Sequence, residues 1–212
     1  MPKIDYKKDY KDLYVPKATP VIIDVPSMTF IMVEGEGAPQ DQKYQNAVPL
    51  LYALSYTIKM KGKSFPGYFD YTVFPLEGLW WCEGGTFDFN IRDNWRWISM
   101  IRQPEFVTPD IFKWAVELTQ KKKPDFDFSK AQLEQFDEGL CVQIMHVGTY
   151  ADEPATIKKM KEFMGESGLT DMTGIERKHH EIYLSDPSKT KPEKMNTVIR
   201  LPVKRNEQSV NG

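Results

Sequence analysis

One order of segments occurs twice in this chain, and that restricts its fold more than any other feature. A β-branched, apolar stretch, Thr29–Glu34, leads into the loop GEGAPQDQ, which carries two glycines and a proline. An amphipathic segment from about Asn46 to Met60 comes next. Two apolar segments follow, Tyr71–Glu83 and Asn94–Arg102, around the turn-like GGTFDFNIRD. The second half reads alike: strand Leu140–His146, loop Gly148–Pro154, helix Ala155–Glu166 stopping at Gly168, then strands Lys178–Leu184 and Met195–Val203 around SDPSKTKPE. The outgoing strand of the first half carries Ile101-Arg102-Gln103-Pro104, and that of the second carries Ile199-Arg200-Leu201-Pro202. Four shared letters are weak alone and gain weight from the shared order. The expected architecture is α+β: duplicated strand–helix–strand–strand modules related by a pseudo-twofold axis, forming an antiparallel sheet with helices on one face.

On this reading the modules occupy 20–104 and 138–203, joined by 105–137. Residues 1–19, rich in Lys, Asp and Tyr, form a surface arm, and 204–212 form a disordered polar tail. The spacing of Leu50, Leu51, Leu54 and Ile58 makes a helix with Asn46 as N-cap and Pro49 in its first turn. Thr108 and Pro109 open a further helix to about Gln120, within the joining segment, and 124–138 link into the second half.

Charge and cysteine usage exclude several classes of function. With 28 basic and 30 acidic residues the formal net charge is −2, unlike the basic balance of a dedicated nucleic-acid binder, and no helix-turn-helix segment flanks either half. Cys82 and Cys141 stand far apart, form no Cys-x-x-Cys pair and make no disulfide framework, and His146, His179 and His180 lack zinc spacing with them. Buried, reduced thiols and a structural His146 are expected. The N-terminus is charged with no apolar core of a signal peptide, and no apolar run approaches the about 20 residues of a membrane span, so a soluble, cytoplasmic setting is expected. There is no nucleophile elbow, Walker A loop or Rossmann fingerprint.

Two strands carry the candidate chemistry. Side chains alternate across a strand, so in HHEIYL His180, Ile182 and Leu184 share one face while His179, Glu181 and Tyr183 share the other. The Ile/Leu face is the natural one for helices to cover. Alternation leaves Glu181 either in a concave aromatic pocket or on a solvent face, and by itself favours the solvent face. In PLEGLWWCE, Leu76, Gly78, Trp80 and Cys82 look like the core set, which makes Trp80 a packing residue and Trp81 the better pocket candidate. Trp95, Trp97 and Ser99 share a face of the next strand. Tryptophans alternating with acids suit flat or cationic organic molecules, through stacking and cation–π contact of about 0.5–2 kcal/mol each.

Five blocks resemble a known family: PLEGLWW (75–81), KKKPDF (121–126), EGLCVQIMHVGTY (138–150), DEPATIKKMKEF (152–163) and HHEIYLSDP (179–187). The chain is similar to stand-alone GyrI-like small-molecule-binding domains, related to effector domains of multidrug-sensing regulators. The resemblance implies a duplicated fold with an aromatic pocket between the modules and a central acid, which Glu181 matches. It also implies binding of planar hydrophobic xenobiotics and hydrolysis of cyclopropanoid DNA-alkylating compounds by water attack on the strained ring. Glu181, partly desolvated and so raised in pKa, would orient or deprotonate the water. Tyr183 would hydrogen-bond the carbonyl oxygen that gains charge as the ring opens. Trp81, Trp80 and Trp97 would stack on the substrate, with His179 among the ligand contacts. No metal or cofactor is called for, and the partner is a planar or cationic aromatic small molecule rather than nucleic acid or membrane. The alternatives are a non-catalytic sequestering module and a protein that acts on gyrase.

Overall fold

The apolar segments pair antiparallel throughout, in a computed structural model that describes residues 3–82, 94–174 and 177–206. The strands are β1 (Val21–Val25), β2 (Met28–Glu36), β3 (Leu76–Cys82), β4 (Trp95–Arg102), β5 (Ala131–Phe136), β6 (Gly139–Val147), β7 (Leu169–Asp171), β8 (His179–Tyr183) and β9 (Asn196–Arg205). The helices are α1 (Tyr6–Asp9), α2 (Lys11–Tyr14), α3 (Gln42–Lys61), α4 (Pro109–Gln120) and α5 (Glu153–Glu166). The fold is therefore α+β, around one sheet ordered β1-β6-β9-β8-β3-β4-β2-β5, with β7 beside β9. Outward from the β8–β3 contact, one side runs β8, β9, β6 and the other β3, β4, β2. Arg102 and Arg200, the arginines of the I-R-x-P pair, thus occupy β4 and β9, each one strand out from that contact, and both are buried.

Several boundaries differ from the sequence expectation. The first long helix starts after Asp41 rather than Asn46, so Pro49 lies inside it. An interior proline costs about 3 kcal/mol. The earlier start buries Tyr44 and Ala47 in line with Leu51, Leu54 and Ile58, and this packing offsets the lost hydrogen bond. Helix α4 keeps the expected limits: the Thr108 hydroxyl accepts from the Ile111 N–H and Pro109 opens the first turn. The joining segment is more than a linker, because its residues 131–136 form β5 and pair with β2. Residues 71–75 precede the third strand rather than forming part of it. The GGTFDFNIRD turn lies outside the described residues, as does the tail beyond 206, while β9 runs on to Arg205.

Two corrections bear on the site. The N-terminal arm is not merely a surface feature: Leu13 and Tyr14 are buried. The helices also cover the opposite face of β8 from the one expected. Cross-strand pairing aligns Glu181 with Ile199, and Ile199 with Ile144. Ile144 and Ile199 pack with Met160 and Met164 of α5, so α5 sits on the Glu181 face. The reason is that β8 is central and buried on both sides, so its own alternation carries no inside–outside signal. Its neighbours' side chains decide which face the helix takes.

Candidate active site

Strand β8 lies between β3 and β9, with Gly78 opposite Glu181. The missing side chain at Gly78 is required by its surroundings. A Cβ there would fall 2.7 Å from Trp80 Nε1 and 2.9 Å from the Tyr183 hydroxyl. Those two groups converge over the glycine, where the Trp80 indole N–H donates to the Tyr183 oxygen at 2.8 Å. Tyr44 of α3 stacks on Trp80, with centroids 5.6 Å apart and planes at 29°. The same tyrosine meets Trp97 edge-on at 5.1 Å. Tyr150, in the 3-10 turn before α5, meets Tyr183 edge-on at 6.0 Å and is 40% exposed, which makes it the open rim of the cage.

The start of α5 supplies a further acid. The Asp152 carboxylate accepts from the Thr149 N–H (3.1 Å) and hydroxyl (2.7 Å), a reciprocal cap that turns the chain into the helix. Glu153 opens α5 and is only 1% exposed. Glu153, His179 and Glu181 each bring a carboxylate oxygen or ring nitrogen to within 4.8 Å of the other two. His179 Nε2 is 2.9 Å from Glu181 Oε1, and Glu153 Oε1 has no hydrogen-bond partner.

Two carboxyl groups this close cannot both ionise cheaply out of water. Burial first, and the Glu181 charge second, push the Glu153 carboxyl up to about 10, so it holds its proton at neutral pH. The phenols are also held neutral. Burial pushes Tyr44 up to about 12, and burial with the Glu181 charge raises Tyr183 and Tyr150. The site therefore offers a carboxylate, a carboxylic acid, an imidazole and three neutral phenols against indole faces. The Glu153–His179–Glu181 set also has the composition of a divalent-metal site, though with Glu153 protonated it presents one anionic ligand rather than two.

The sequence profile of the GyrI-like small molecule binding domain matches residues 18–204. The chain belongs to the GyrI-like family. Among curated proteins none matches it. An uncharacterized conserved protein from Listeria innocua is 53% identical, with a TM-score of 0.91 over 95% of this chain and all of that one. A Listeria innocua protein described as a hydrolase is 50% identical, with a TM-score of 0.88 over 95% of this chain and all of that one. The EcmrR C-terminal domain shares the fold alone, at 11% identity and a TM-score of 0.52 over 88% of this chain and 98% of that one.

Of the residues singled out from sequence, the GyrI-like fold brings Glu181, Tyr183, His179 and Trp80 together, with Trp97 behind Tyr44. Trp97 also walls a separate cleft of about 560 Å³ with Leu50 and Phe126. Trp81 does not join them. It neighbours Trp80 on a strand and so points to the reverse face, where the Lys178 ammonium sits 4.9 Å over its ring. Trp80 thus takes the place expected for Trp81. His146 is structural, with its ring nitrogens on the Thr156 hydroxyl (2.8 Å) and the Thr149 carbonyl (2.9 Å). Cys82 and Cys141 are buried free thiols. Sequence reasoning missed Glu153, Tyr44 and Tyr150. A glutamate in the first turn of a helix looks like an ordinary dipole partner, and only the chain's turn at Thr149–Asp152 points it inward.

Proposed function

We propose that this GyrI-like protein binds planar, hydrophobic electrophiles against the Trp80–Tyr44 stack and hydrolyses cyclopropanoid DNA-alkylating compounds. The observation that carries this reading is the buried Glu153–Glu181 pair, which holds one proton inside a ring of phenols. Ring strain supplies much of the driving force, so the protein need only place a water and stabilise charge. Glu181 accepts a proton as the water oxygen bonds to the ring methylene. The cyclopropane C–C bond breaks, and its electron pair moves through the conjugated system to the carbonyl oxygen. The phenol O–H groups of Tyr183 and Tyr150 are the donors for that oxygen. Solvent then protonates it as Glu181 returns its proton, for a net addition of one water. Glu153 keeps its own proton throughout and limits the pair to one negative charge. His179 fixes the Glu181 carboxylate from the side. The 50% identity to a protein described as a hydrolase supports a hydrolytic role.

A second reading is sequestration without chemistry, favoured by a carboxylate set among aromatic rings, which suits a planar cation. Incubation of purified protein with a cyclopropane-bearing alkylator, followed by mass spectrometry, separates the two. The proposal expects the ring-opened hydrate well above the rate in buffer. Tight binding with no hydrate would establish sequestration instead.

A further inference from the structure

Strand β8 places a third ionisable side chain, His180, between His179 and Glu181 and pointing to the opposite face. His180 is fully buried, with Nδ1 at 2.8 Å from Glu138 Oε1 and Nε2 at 3.0 Å from Glu77 Oε2. Nδ1 is hydrogen-bonded to Glu138, while Nε2 and Glu77 Oε2 approach at ion-pair distance without the alignment of a hydrogen bond, and two flanking carboxylates favour the positively charged ring. Arg200 completes the cluster. Its Nη1 donates to Glu138 Oε2 at 3.0 Å and its Nε to Gln143 Oε1 at 3.0 Å. Two cations thus meet two anions, all of them buried. Burial alone would lower the His180 pKa, but the Glu138 and Glu77 carboxylates overcome this and push it up to about 9.

The N-terminal arm closes the cluster from water. The Tyr14 hydroxyl donates to Glu77 Oε1 at 3.2 Å, Arg200 Nη2 donates to the Leu13 carbonyl at 2.5 Å, and the Gln143 amide donates to the Asp12 carbonyl at 2.5 Å. As a source of stability this arrangement is inefficient, because well-packed apolar residues commonly replace buried ion networks at no loss. What it does supply is direction: hydrogen bonds tie the back of β8 to Glu138 at the entry to β6, and through it to Arg200 of β9 and the arm, with an ion pair to Glu77 of β3. The residues on the front of the same five-residue strand are those whose orientation the chemistry needs.

We infer that His180 is a positioning residue for His179 and Glu181, and that the N-terminal arm, through Tyr14, is a working part of the reactive site. The inference rests on the hydrolytic reading for its effect on turnover, but not for its structural content. The test uses the full chain labelled with ¹⁵N-histidine. Its three histidines are assigned by single His→Gln substitutions. His180→Gln should displace the His179 ring signal in a folded protein, and a native His179 signal there overturns the inference.

Tyr14→Phe then removes one hydrogen bond and leaves every charge in place. The expected result is a native fold by circular dichroism, a displaced His179 ring signal, and a fall of roughly tenfold in kcat with KM within twofold. A folded Tyr14→Phe protein that loses stability but keeps the native His179 signal and kcat would show a structural role only, and would overturn the claim. If wild-type protein forms no hydrate, the hydrolytic reading falls, and the His179 signal in the variants still decides this one. His180→Gln is the stronger variant, and Tyr14→Phe keeps the test open if His180→Gln does not fold.

Discussion

Replacing Glu153 by Gln should make the protein more stable. The carboxyl group titrates near its ordinary 4.5 in the unfolded chain and near 10 in the folded protein. A group whose folded pKa is raised favours folding fully below the unfolded pKa, and that contribution is lost as pH rises toward the folded pKa. From pH 4.5 to 7.5 the unfolded state gains the freedom to ionise while the folded state does not. Three pH units at about 1.4 kcal/mol each amount to an upper bound of about 4 kcal/mol of native stability forgone at pH 7.5. Glutamine has nearly the same shape, carries no charge to desolvate, and can still donate an N–H toward Glu181. Its melting temperature at pH 7.5 should therefore exceed the wild type's, by up to about 8–16 °C for a chain of this size. The assay is urea or thermal unfolding of both proteins from pH 5 to 9. The wild type should lose stability as pH rises, and the curve for Glu153→Gln should be flatter. A variant that is less stable at pH 7.5, or that falls with pH as steeply as the wild type, would refute the reasoning.

Further outcomes follow from the same geometry. Glu181→Gln should leave ligand affinity within a few fold while depressing hydrate formation by roughly 10²–10⁴, as read from initial rates by mass spectrometry. Trp80→Ala should weaken binding of a planar ligand by about 1–2 kcal/mol in calorimetry, whereas Trp81→Ala, on the reverse face, should leave affinity unchanged. Gly78→Ala should destabilise by about 1–3 kcal/mol, because its methyl would displace the Trp80–Tyr183 hydrogen bond, and near-ultraviolet circular dichroism should report the disturbed indole.

Much of this protein is written locally in its sequence. The limits of α4 follow from Thr108 and Pro109, and the apolar periodicity and turn residues mark six of the nine strands among the described residues and the pairing of β3 with β4. The strand residues Glu181, Tyr183 and His179 share a face because alternation allows nothing else, and the sequence blocks around them resemble the family whose profile matches residues 18–204. What alternation could not decide is which face would become the site, since the strand is buried on both sides and each face carries a glutamate beside a histidine: Glu181 with His179 in front, Glu77 with His180 behind. Short strands such as β5 and β7 also escaped notice, because pairing with β2 and β9 supplies most of what stabilises them. The tertiary structure made that choice. Helix α5 packs Met160 and Met164 onto Ile144 and Ile199, and so carries Glu153 to within reach of Glu181 across 28 residues of chain. The N-terminal arm fills the other face with Leu13 and Tyr14 and hydrogen-bonds Glu77 and Arg200, whose charges His180 and Glu138 balance. Sequence determines which side chains a strand shows to each side, but the raised pKa of Glu153 arises from groups that meet only once the chain has folded.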